Sequence, residues 1–129
     1  MTGAGRTGGP PRPTDAEALE ATPSDLSLAE VLLGAAEEAG TAIRTEAGGL
    51  TTWSAGSPPT TFAMLAGGQA EFRLDPVIAQ AALRTPDTVA SPRGPEWVAF
   101  GPVVVDDGAV DRAEAWFLAA HRRASGRRG

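Results

Sequence analysis

The residues best suited to chemistry in this chain gather in one run, where Arg84, Asp87, Arg93, Glu96 and Trp97 follow a helical pattern and lead into a strand. Loops held between two regular elements are where ligand contacts concentrate. A guanidinium fork binds a carboxylate or another planar anion through two parallel hydrogen bonds, and an indole face accepts a cation or forms an apolar wall. The set supports two readings, an anion or planar-ligand site and an arginine-carboxylate network that pins the loop. The second is favoured, because Thr85 to Glu96 holds three prolines and so has few backbone donors of its own. In that reading Arg93 pairs with Asp87 or Glu96. Arg73 joins the ligand-binding candidates from the neighbouring hairpin. Counting outward from a two-residue turn at Gly67-Gly68 sets Arg73 opposite Phe62, and the same count from Gly48-Gly49 sets Arg44 opposite Trp53. Each hairpin is then expected to stack an arginine on an aromatic ring of the exposed sheet face.

Other candidates read more simply. His121 is the single histidine, with Arg122 and Arg123 beside it. An imidazole there is a possible general base, but a surface residue favoured by the helix dipole is the plainer account. Asp106, Asp107 and Asp111 are a possible cation cluster, yet carboxylates at a helix start usually cap it. No nucleophile elbow, phosphate loop or dinucleotide fingerprint occurs. No catalytic residue, metal ligand or cofactor is assigned.

The elements that position these groups follow from local pattern. Residues 1–24 are expected to be a disordered Gly/Pro-rich tail too polar to join a core, with at most a short helix over Thr14–Ala21. Ser27 and Glu30 have capping-box spacing ahead of Leu28, Leu32, Ala35 and Ala39, and Gly40 ends that helix. Hairpins are expected over 41–54 and 60–74, separated by Ser57-Pro58-Pro59. Asp75-Pro76 opens a short helix, with Val77, Ile78, Ala81 and Ala82 as its apolar residues, running to about Arg84. Trp97 to Phe100 reads as a strand, and Val103 to Val105 as a possible extension of the sheet. Asp106-Asp107 starts a last helix whose stripe is Ala109, Ala113, Trp116, Phe117 and Ala120. The expected fold is α+β: an antiparallel sheet of two hairpins plus one or two further strands, packed by an N-terminal, a short middle and a C-terminal helix. The domain covers 25–124, followed by a basic frayed tail over 125–129.

Composition narrows the function. Twenty-five of the 129 residues are alanine, so large core side chains are scarce, and a homodimer that covers a leftover apolar patch on the sheet or the last helix is a reasonable expectation. Lysine, asparagine and tyrosine are absent while Ala, Gly, Pro and Arg abound, a bias that points to a high-GC bacterial genome. The absence of cysteine excludes disulfides and thiolate chemistry and suits a reducing cytoplasm. No apolar run reaches the roughly 20 residues of a membrane span. His121 to Gly129 carries four arginines and no acid, leaving seven arginines against sixteen acids ahead of it. That balance makes DNA an unfavourable partner.

In element order and wording the chain resembles the small MmcQ/YjbR-like proteins. The resemblance spans about Leu26 to Arg123 and rests on Phe62 to Leu65, the helix from Pro76 to Arg84, the run SPRGPEWV from Ser91 to Val98, and the closing Asp111 to Arg123 with Trp116 and Phe117. It implies a double-wing arrangement, for which DNA binding has been suggested. Taken together these readings favour a module that binds a small molecule or a protein. The alternatives are a small accessory enzyme with a polar site around the Arg84–Trp97 loop and, less favoured, a DNA-binding protein.

Overall fold

The computed structural model describes residues 26–126, which form three helices and six strands. In chain order these are α1 (Leu28–Ala39), β1 (Ile43–Ala47), β2 (Leu50–Ala55), β3 (Thr60–Ala66), β4 (Gln69–Arg73), α2 (Pro76–Ala82), β5 (Thr88–Ala90), β6 (Trp97–Phe100) and α3 (Asp107–Ala124). The strands make one antiparallel sheet in the order β1-β2-β3-β4-β6-β5, so the chain is α+β as its pattern implied. The expectations for the Gly/Pro-rich segment, its short helix and the last three residues fall outside the described residues.

Side chains dictate each helix start. The Ser27 hydroxyl accepts from the Glu30 amide at 3.1 Å while the Glu30 carboxylate accepts from the Ser27 amide at 2.9 Å, which closes the capping box of α1. The Asp75 carboxylate accepts from Val77 N at 2.9 Å, with Pro76 in the first helical position. Asp106 accepts from Ala109 N at 2.9 Å, so it caps α3. Gly48 and Gly49 have φ of 59° and 82°, the pair of left-handed residues that a tight two-residue hairpin turn demands.

The core lies between the sheet and α1 and α3. All four phenylalanines (Phe62, Phe72, Phe100 and Phe117) are buried there with Trp53, and Phe117 meets Trp53 and Phe62 edge-on at 5.4 and 5.1 Å. Ala35 of α1 and Ala109, Ala113 and Ala120 of α3 belong to the same buried cluster. All five residues of the stripe read on α3 are buried. On α1 the buried set is Leu28, Val31, Leu32 and Ala35, and on α2 only Ala79 and Ala82 are buried while Val77 is exposed.

Three local expectations change. Val103 and Val104 lie exposed in an irregular segment and do not extend the sheet. The strand β5, Thr88–Ala90, lies inside the stretch expected to be all loop. Asp87, at φ 64°, reverses the chain there and lets the short run pair with β6. Finally, Phe62 does not face Arg73. The β2–β3 pairing steps from Trp53↔Ala63 to Ser54↔Thr61, which makes Phe62 the extra residue of a bulge, and the β3–β4 ladder ends at Ala63↔Phe72. A bulge cancels the strict alternation of sides, so Phe62 and Ala63 are both buried. The opposite face of the sheet carries the row Thr45, Thr52, Met64, Glu71, Ala99 and Val89.

Candidate functional site

Four of the six ligand-binding candidates come together where β4 meets β6. Antiparallel pairing sets Arg73 opposite Trp97 and Glu71 opposite Ala99, and the turn from Ser91 to Trp97 folds over them. Glu71 Oε1 accepts from Ser91 Oγ at 2.7 Å and from Arg93 Nε at 2.8 Å, and Ser91 Oγ in turn accepts from the Arg93 amide at 3.2 Å. The Arg93 guanidinium lies 5.9 Å from the centre of the Trp97 ring. Arg93 therefore pins the proline loop as expected, but through Glu71. Its expected partner Asp87 sits at the far end of the β5–β6 ladder, where its carbonyl accepts from Gly101 N at 3.0 Å.

Glu96 serves a second group. Its Oε1 is 3.1 Å from Arg73 Nη2 and accepts from Arg123 Nη1 at 3.2 Å. The same Arg123 nitrogen reaches the Leu74 carbonyl at 3.3 Å, and Leu74 N donates to the Glu96 carbonyl at 2.7 Å. The hydrogen bond from Arg123, aided by the charges of Arg123 and Arg73, holds the Glu96 carboxyl below its ordinary value although burial pushes it upward. Arg93 with Glu71 holds the loop to β4, and Arg73 and Arg123 share Glu96, so the two groups together staple β4, β6 and the end of α3, with each guanidinium committed to a carboxylate. Arg84 and Asp87 stay apart from it. Arg84 is exposed beside Pro76, Val77 and Gln80, and Asp87 lies near Val89 and Gly101.

The stacks expected on an exposed sheet face are replaced. The register Arg44↔Trp53 is observed, but Trp53 turns inward to Phe117 and Arg44 is exposed, 3.7 Å from Glu46. Arg112 lies over Phe100 at 5.4 Å, a second cation-π pair that the hairpin count did not reach.

A different set of polar groups borders open space. A cavity of about 710 Å³ lies between the ends of α1 and α3 and the β1–β2 edge. Its polar lining is Glu38, Thr41, Ser57, His121, Arg122 and Ser125, and Ile43 and Leu118 supply apolar wall. His121 Nε2 is 2.8 Å from Thr41 Oγ1, and its ring stands edge-on to Phe62 at 5.5 Å. The ring is half-buried rather than a simple surface group. Ser125 Oγ donates to the His121 carbonyl at 2.8 Å, which closes the last turn of α3. Gly56, at φ 96°, lies so close to the Ala124 carbonyl that a Cβ there would collide with it, and this approach sets one side of the cavity. Thr41 stands 80 residues from His121, so no motif spacing marks the pair.

Among the described residues no group of three or more His, Cys, Asp or Glu side chains is placed to hold a metal ion, and no helix is long and apolar enough to cross a membrane. Compared with protein-family models, with curated proteins and with solved structures, the chain finds no match in any of the three.

Proposed function

We propose that this protein is a binding module whose ligand site is the cavity at the ends of α1 and α3, with the Arg73–Arg93–Glu96–Trp97 cluster acting as a structural staple. One observation carries the reading: the chain's only histidine is hydrogen-bonded to Thr41 at the wall of a cavity of about 710 Å³, a size that suits a small organic molecule. The carboxylate of Glu38, the guanidinium of Arg122, three hydroxyls and the apolar wall favour a small zwitterionic or polar molecule with an apolar body. An enzymatic reading is second, and the Thr41–His121 contact now favours this location over the Arg84–Trp97 loop, because a hydroxyl beside an imidazole is the pair that nucleophilic or general-base chemistry uses. The likeness in layout to the MmcQ/YjbR-like proteins and a cytoplasmic location belong to the same proposal.

The test is a set of amide correlation spectra of the full chain, recorded while small polar fragments are added. Binding in the cavity shifts Thr41, Ile43, His121 and Arg122 and is weakened by His121→Ala. Fragments that instead shift Arg93 and the Trp97 indole would return the site to the sheet face and refute the cavity reading.

A further inference from the structure

We infer that β1 is an edge through which two copies of this chain pair, antiparallel and about a two-fold axis at Thr45, extending the sheet across the dimer. The inference does not depend on what fills the cavity. β1 ends the strand order, and all five of its residues are exposed. An edge strand leaves a row of backbone donors and acceptors open to another strand unless proline, charged side chains, a bulge or short length guards it. β1 has five residues with no proline and no bulge, and its two charges, Arg44 and Glu46, are of opposite sign and so complement a second copy, whereas the other edge, β5, has three residues.

The pairing geometry follows from the turn. With Gly48-Gly49 as a two-residue turn, Ala47 and Leu50 form the first hydrogen-bonded pair, followed by Thr45 with Thr52 and Ile43 with Ser54. The amides and carbonyls of Arg44 and Glu46 consequently point away from β2, to the free side. A two-fold axis at Thr45 sets Arg44 of one copy opposite Glu46 of the other, twice. Those are the residues whose backbone groups are free, so four backbone hydrogen bonds and two opposite-charge pairs form in one register. Directly opposed side chains of opposite sign favour that register, and like charges would oppose it. In the single chain these two side chains make only a long contact of 3.7 Å with each other and remain 47% and 61% exposed. The same register places Ile43, an exposed apolar side chain, opposite Ala47 of the second copy. Because Ile43 also lines the cavity, the second copy's turn lies at the cavity rim.

A charge exchange in sedimentation equilibrium tests this pairing. The full chain is expected to weigh as a dimer at about 100 µM and to dissociate on dilution, as mass action requires. Arg44→Glu opposes two carboxylates on each side of the axis and Glu46→Arg opposes two guanidiniums, so either alone should weaken the dimer at least about tenfold. An equimolar mixture of the two variants should pair again, as should Arg44→Glu/Glu46→Arg. Both positions are exposed, and circular dichroism checks that each variant is folded. The Arg44 and Glu46 amides should also gain exchange protection with concentration. A monomeric wild type at that concentration, a dimer indifferent to both single changes, or a mixture that stays monomeric would each overturn the inference.

Discussion

Replacing Glu96 with glutamine removes the charge that two arginines share while keeping the side chain's shape. Oε1 lies 3.1 Å from Arg73 Nη2 and 3.2 Å from Arg123 Nη1, and the three side chains are 32%, 34% and 29% exposed. A fully exposed ion pair contributes up to about 1 kcal/mol, and hydrogen bonds to charged groups about 1.5–3 kcal/mol. At one-third exposure, with one carboxylate oxygen serving both arginines, Glu96→Gln should cost about 1–2 kcal/mol. For a domain of this size that lowers the melting temperature by roughly 5–10 °C. The hydrogen bond from Arg123, together with the two arginine charges, lowers the carboxyl's folded value below its ordinary 4.5. The contribution is therefore fully present above that ordinary value and fades as pH falls through the folded one. Urea unfolding of wild type and Glu96→Gln at neutral pH and at about pH 3 measures both effects. The gap between the two proteins should be largest at neutral pH and should shrink in acid. A gap under about 0.3 kcal/mol at neutral pH, or one of equal size in acid, would refute the view that the charged contacts of Glu96 fasten α3 to the sheet.

Arg93→Ala should cost about 0.5–1 kcal/mol, since its pair with Glu71 is partly solvated; a double-mutant cycle should show coupling to Glu71→Gln and none to Asp87→Ala. Gly56→Ala combines an unfavourable φ with a collision against the Ala124 carbonyl, so a loss of about 2–4 kcal/mol in denaturant titrations is expected. Phe117→Ala opens a cavity beside Trp53 and Phe62 and should cost about 3–5 kcal/mol. Double-stranded DNA should not bind below about 1 µM at 150 mM salt in a fluorescence anisotropy assay, because acids outnumber arginines across most of the chain.

Most of the fold was legible because the signals that specify it are local. Ser27 with Glu30, Asp75 before Pro76 and Asp106 at the start of α3 each solve the same problem, unpaired amides at a helix start, within three residues of chain. The glycine pairs set both hairpins for a similar reason, and the register Arg44↔Trp53 followed by counting. β5 was missed because Thr88–Ala90 is too short to show alternation between its flanking prolines, and its pairing with β6 exists only once Asp87 reverses the chain.

The sequence by itself determined the starts of the three described helices, the hairpin turns and the choice of α+β, since each rests on backbone chemistry between near neighbours, while α2 stops at Ala82 rather than near Arg84. Tertiary structure alone decided which side chains meet. The bulge at Phe62 turned a ring expected on the exposed face into the core, because one extra residue reverses the alternation that a strand count assumes. Arg93 found Glu71, 22 residues away, instead of the nearer carboxylates, because pairing of β4 with β6 brings that acid under the loop. His121 found Thr41 only because α1 packs along α3 and brings the chain beyond its end to the last turn of α3. Distances of this kind depend on how the elements pack, and no spacing along the chain encodes them.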